Sequence, residues 1–185
     1  MKSLYALLLT VMVAGTVFAG GEVRVDLFGG KKLKLREITA TPPLRWRRFP
    51  VHVGTDREEA SALIVSSPLD GEKWSEFEIS FVPEKDGLVS VDFHTPGSRD
   101  PAAVKPVLIR EVNAVGAALK NGSFAKLQDG KPQFWKLGKQ AEAVRDENSK
   151  CICLKVVYNS GRASQLFAVK GGQKVVLTFK AKLAE

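Results

Sequence analysis

Apolar and polar residues alternate with a period of two through most of this chain. In WSEFEISFV, Phe77, Ile79 and Phe81 stand against Glu76, Glu78 and Ser80, and in LVSVDFH, Val89, Val91 and Phe93 stand against Ser90, Asp92 and His94. KVVLTFKA sets Val175, Leu177, Phe179 and Ala181 against Lys174, Thr178 and Lys180. Successive side chains on a strand point to opposite faces, so each run predicts a strand with one buried and one wet face. EVRVDLF, KKLKLREI, RFPVHV, SALIVSS, PVLIREV, ICLKVVY and SQLFAV read the same way, giving about ten strands. Between them lie GG, TPP, PLDGE, PEKDG, TPGSRDP, KNGS, LQDGKP and KGGQ, the residues of tight turns. The expectation is an all-β protein, an antiparallel two-sheet β-sandwich whose inner faces share one core. GKQAEAVRDE and then TDREEASAL are the best helical stretches, and both are short. RVDLFGGKKLKLREI near the start and LFAVKGGQKVVLTFKAK near the end share a strand, a Gly-Gly turn with lysine and a second strand, the pattern of two similar hairpins.

The first nineteen residues break the alternation. Lys2 precedes a mostly apolar run, Leu4 to Val13, too short to span a bilayer, and Val17 and Ala19 are small residues spaced as a cleavage site. Residues 1–19 therefore read as a signal peptide, and residues 20–185 as a single β-sandwich domain of a secreted or periplasmic protein. The residue after the cut is not a cysteine, so no lipid anchor is expected there. No later run reaches the ~18 apolar residues of a membrane span.

Charge adds a hint about partners. The chain carries 28 Lys and Arg against 20 Asp and Glu, a net +8, and losing Lys2 with the leader leaves +7. On an exported protein such an excess suits anionic glycans or acidic envelope polymers, or simply a solvated surface, better than nucleic acid. Cys151 and Cys153 are the only cysteines. At a spacing of two they would share a strand face as small apolar fillers, the alternatives being a strained local disulfide or a soft-metal pair; no second pair or nearby histidine completes a zinc site.

The chain offers little for catalysis. It has two histidines and no nucleophile elbow, zinc-protease, phosphate-loop or dinucleotide motif. Ser90, Asp92 and His94 share a strand face, but such neighbours lie about 6.5–7 Å apart, beyond the reach a triad needs. Glu76 and Glu78 read as solvated acids, not a glycosidase pair. Sugar binding asks for less: an aromatic plate ringed by planar hydrogen-bonding groups. PLRWRRFPVHVG, residues 43–54, supplies these types. If Phe49, Val51 and Val53 face inward, Trp46, Arg48 and His52 share the outer face and become ligand-binding candidates. The alternative is that Trp46 caps the core while its arginines extend into water. Arg162 in NSGRAS and Lys170 in VKGGQK lie at loops beside strands, as ligand contacts or as ordinary surface charges.

Several stretches resemble the galactose-binding-like, jelly-roll class of carbohydrate-binding modules. WSEFEISFVPEKDGLVSVDF (Trp74 to Phe93) is similar to the family's W-x-x-F/Y-x-x-x-F strand with its acidic-Gly turn. VLIREVNAVGAALKNGSFAKLQDGKPQFWKL (107–137) resembles the end of one such module and the opening of the next, and SGRASQLFAVKGGQKVVLTFKAK resembles the ligand-side strand and its Gly-Gly hairpin. The resemblance implies a jelly-roll fold, sugar binding without catalysis, and packing roles for Trp74 and Trp135. Two features depart from the pattern. The motif order is permuted, which implies one sandwich built from both halves. Asn121-Gly122-Ser123-Phe124-Ala125 and Arg110-Glu111 stand where the family often has acidic residues, which puts its structural calcium in doubt; the expectation is no cofactor, with a structural calcium as the alternative. The expected protein is thus an exported, non-catalytic module for an extracellular or cell-envelope polysaccharide, anionic by the charge argument. The alternative is a structural or adhesive module that packs on other envelope proteins without binding sugar.

Overall fold

The alternating runs assemble into two antiparallel sheets. A computed structural model describes residues 22–29, 33–41, 45–49, 62–69, 71, 73–96, 104–157 and 161–184, with 45–49 and 62–67 described through the backbone. Residues 1–19 lie outside these. In chain order the strands are β1 (Glu22–Phe28), β2 (Leu35–Thr41), β3 (Arg45–Phe49), β4 (Ala62–Pro68), β5 (Ser75–Pro83), β6 (Gly87–His94) and β7 (Val107–Val115). There follow β8 (Leu127–Gln128), β9 (Lys131–Pro132), β10 (Lys136–Leu137), β11 (Glu142–Arg145), β12 (Ile152–Val156), β13 (Ala163–Val169) and β14 (Val175–Leu183). The described residues contain no helix, and hence none long and apolar enough to cross a membrane. The first sheet runs β10-β13-β6-β1-β4-β3 and the second β11-β12-β7-β14-β5-β2, with β8 and β9 forming a separate short ribbon.

The predicted parity becomes the core. Val23, Val25, Leu27, Val89, Val91 and Phe93 of the first sheet are buried, as are Phe77, Ile79, Phe81, Val175, Leu177 and Phe179 of the second. Phe77 and Phe179 stack at 4.9 Å within the second sheet, and Phe93 meets Phe179 edge-on at 5.0 Å across the interface. Such ring pairs add about 1 kcal/mol each beyond the area they bury. The two sheets therefore pack face to face, as the alternation predicts.

Three expectations are corrected. The two Gly-Gly segments are not hairpins, because β1 and β2 lie in opposite sheets, and so do β13 and β14. Each segment joins one sheet to the other, and both are bonded to the β5–β6 connection: Glu84 N–H donates to Lys34 O at 3.0 Å and Gly172 N–H to Pro83 O at 2.8 Å. GKQAEAVRDE is not helical, since its residues 142–145 pair as β11 with Ile152 to Lys155 of β12. Strand pairing overrides the helix propensity of Ala and Glu. In the other stretch, TDREEASAL, residues 55–61 lie outside the described residues. Cys151 precedes β12 and is exposed while Cys153 is buried, so the two do not share a packed face.

Candidate functional site

The segment after β7 positions an exposed aromatic on the first sheet. Ala117 bridges Val169, and the buried Gln165 bonds the main chain of Lys120 twice, accepting from its N–H at 2.7 Å and donating to its carbonyl at 2.8 Å. Gly122 then passes so close to β7 that a Cβ there would fall 1.6 Å from Val112 O, and its carbonyl accepts Val112 N–H at 2.9 Å. No other residue fits. The Asn121 side chain donates to the carbonyls of Lys126 and Gln133 at 3.0 Å and accepts Lys126 N–H at 3.1 Å. Trp135 Nε1–H donates to Asn121 O, and its buried ring meets Phe124 edge-on at 5.2 Å and Phe93 at 6.0 Å. The loop 121–135 is thus pinned from both sides.

Phe134 projects from that loop into solvent. It is 56 % exposed and its φ is 71°, a left-handed conformation that costs a bulky residue about 1–2 kcal/mol. Lys120 Nζ stands 5.0 Å from its ring centroid. Phe134, Lys120, Lys136, Ser90, Ser164 and Leu166 line an open basin of about 630 Å³ on the outer face of the first sheet. Register sets the neighbours: Lys136 pairs with Ser164, which pairs with Asp92, and Ser90 pairs with Leu166. An aromatic face, two ammonium groups and hydroxyls in one basin can stack a sugar ring and neutralise its acid groups.

A charged cluster continues the same face. Asp26 on β1 receives Arg162 Nη1 on Oδ2 at 3.4 Å, and His94 Nε2 stands 3.0 Å from Oδ1, a close charge contact not aligned as a hydrogen bond. His94 Nδ1 donates to Thr95 O at 3.0 Å, because a carbonyl can only accept. His94 is buried and Asp26 nearly so, whereas Arg162 is 41 % exposed. Ser90 donates to Asp92 Oδ2 at 3.0 Å.

The outer face of the second sheet is arranged differently. Trp74 lies between two cations, with Arg110 Cζ 4.1 Å and Lys182 Nζ 5.1 Å from its ring. Lys182 pairs with the buried Asp146 at 3.2 Å. Ser149 donates to the same carboxylate through Oγ at 2.5 Å and its backbone N–H at 3.2 Å. The Ser149 hydroxyl, and next Lys182, outweigh burial and hold the Asp146 carboxyl below its ordinary range. Burial first, then the Asp146 charge, pushes the Cys153 thiol up to about 11, so it is inert at neutral pH. Nearby, Lys180 bonds Glu111 at 2.9 Å and Glu76 at 3.1 Å, which raises its ammonium above the usual range, Glu111 contributing most. Among the described residues no group of three or more His, Cys, Asp or Glu could hold a metal ion.

The residues singled out in the sequence fare unequally. Arg162 joins Asp26 and His94 beside the basin. Ser90 and Asp92 bond each other on the outer face, but His94 is buried instead of wet. Trp135 packs in the core, while Trp74 is half-buried and carries cations. Lys170 is exposed in the β13–β14 corner. Backbone register pairs Trp46 with Val65 and Arg48 with Leu63, the partners of buried Val25 and Leu27. Arg45 and Arg47 fall in the rows of Arg24 and Asp26, the reverse of the expected parity. That parity was anchored on Phe49, and Phe49 falls in the row of Phe28, not of the buried residues. The side chains of Trp46 and Arg48, and all of His52, lie outside the described residues. Phe134 and Lys120 were not singled out, although a Phe amid turn residues, outside any alternating run, is a readable signal. Comparisons with protein-family models, with curated proteins and with solved structures give no match.

Proposed function

We propose that this protein is a non-catalytic carbohydrate-binding β-sandwich of the jelly-roll type, exported, with an anionic polysaccharide as its ligand and the Phe134 basin as its site. The observation that carries the reading is Phe134 itself, an exposed ring held in an unfavourable backbone conformation by a pinned loop, with Lys120 against it and Lys136 lining the same basin. Strain kept at an exposed position supports a role in binding over a role in folding. The jelly-roll form is supported by the chain's repeated passage between the two sheets. A glycan array and affinity electrophoresis in gels containing acidic polysaccharides test it. The expected result is retardation by acidic polymers that Phe134→Ala removes; binding unaffected by Phe134→Ala and lost with Trp46→Ala would move the site to β3.

A second reading has its own observation. Leu88 and Leu166, both exposed, add apolar surface beside the basin and would suit a protein-docking face. An empty glycan array together with a stable protein partner released by Leu166→Asp would favour that reading.

A further inference from the structure

Three cations on the outer face of the first sheet, Arg162, Lys136 and Lys120, lie along β13. Arg162 immediately precedes β13, and Arg162, Ser164 and Leu166 succeed one another at two-residue spacing. They share the outer face, with roots about 6.5–7 Å apart. Lys136 stands across from Ser164, and Lys120 is tied through its main chain to Gln165. The line therefore reads Arg162, then Ser164 with Lys136, then Leu166 with Phe134 and Lys120. Arg162 does not line the basin; it lies two residues beyond Ser164, which does. Its guanidinium is buttressed by Asp26, whose other oxygen faces the buried His94. Between the cations, Asp92 pairs with Ser164 in register and is a hydrogen-bond acceptor for sugar hydroxyls.

Resting on the sugar-binding reading above, we infer that the ligand lies along β13 as an extended anionic oligosaccharide, one unit against Phe134 and a later unit's carboxylate or sulfate on Arg162. A guanidinium engages such a group with two parallel bonds, which an ammonium cannot reproduce. Asp26 and His94 are positioning residues: they fix the guanidinium and touch no sugar. The length of the ligand, and not only its charge, then sets affinity, because the second contact is made within an already bound chain.

The test is a length series, from monomer to hexamer, of oligogalacturonates, oligomannuronates, hyaluronan fragments and heparin fragments, titrated calorimetrically. For at least one series the wild type gains about tenfold or more in affinity between dimer and hexamer. Arg162→Gln abolishes that gain and leaves the shortest bound fragment unchanged, while Arg162→Lys recovers part of it. Thermal unfolding of each variant separates a misfolded protein from a lost contact, and Arg162→Lys keeps the test valid if Arg162→Gln unfolds. Binding lost with Phe134→Ala but with the same length dependence in both Arg162 variants overturns this inference and leaves the basin standing. Binding in no series, or binding indifferent to Phe134→Ala, overturns the basin and with it the extended ligand.

Discussion

Among the described residues, lysine or arginine stands against an aromatic ring at two places, and the two sites differ in what else they hold. On the second sheet, Trp74 is held between Arg110 and Lys182, and the buried Asp146 neutralises the lysine. Arg110 in turn contacts Glu111, so both cations there have a protein carboxylate as partner beside a half-buried ring. On the first sheet, Phe134 meets Lys120 on an exposed ring that looks into an open basin. Cation–aromatic contacts occur widely in folded proteins and do not mark a site by themselves. What separates the two is that Phe134 combines an exposed ring with a left-handed backbone, whereas Trp74 is half-buried against cations paired with carboxylates.

Adjacent residues on the pinned loop give the sharpest test of that difference. Trp135→Ala empties a core site shared with Phe93 and Phe124 and should cost about 3–5 kcal/mol in urea unfolding. Phe134→Ala should change stability by less than about 0.5 kcal/mol, and Phe134→Gly, which relieves the positive φ, should not destabilise at all. Large destabilisation by Phe134→Ala would show that its ring packs for the fold, and the two cation–aromatic sites would then be alike.

The Trp74 cluster should fail through its charges. Asp146→Ala leaves Lys182 buried without its partner, and we expect a loss of about 3 kcal/mol at neutral pH. Lys120→Ala, at the open site, should lie within about 0.5 kcal/mol of wild type. Acid gives the same contrast. The Asp146 carboxyl titrates lower in the folded protein than its ordinary 3.8, so its contribution is complete above that pH and disappears as the pH falls through the folded value. The stability gap between wild type and Asp146→Ala should therefore close as the solution is taken below pH 3.8. A gap that persists in acid would mean that the lost contacts, not the charge, held the cluster together.

How far these sites were legible in the sequence follows from their physics. Alternation is a local signal, and it predicted the inward residues of β5, β6 and β14, although Ser80 and His94, expected on the wet faces, are buried as well. Sheet membership is not local, so a Gly-Gly turn looked the same whether it closed a hairpin or crossed the sandwich. The β3 parity is read from Phe49, Val51 and Val53, of which only Phe49 lies in the described residues, and there it falls in the row of Phe28 instead of the buried positions. Arg162 was found because a cation at a strand-end loop is conspicuous. Its partners were not, because Asp26 and His94 are 68 residues apart and meet only when β1 pairs with β6. Phe134 left one readable trace, a Phe amid turn residues, but its φ angle and its exposure are not written in a residue type.

The smallest effect tests whether burial, rather than the number of charges, decides what a cluster contributes. Glu76, Lys180 and Glu111 form a network as dense in charge as the Asp146 cluster, but on the solvent side of the second sheet. Water and salt screen such pairs, and holding long side chains in place offsets most of their attraction. Glu76→Gln should lower Tm by on the order of 1 °C in dilute buffer and leave it unchanged in high salt. Because Glu111 and then Glu76 raise the Lys180 ammonium above 10.5, the network's contribution is present below that pH and fades as the solution becomes more alkaline. A salt-independent loss as large as that of Asp146→Ala would mean that three charges outside the fold do what two inside it do, and exposure would no longer distinguish the faces of this protein.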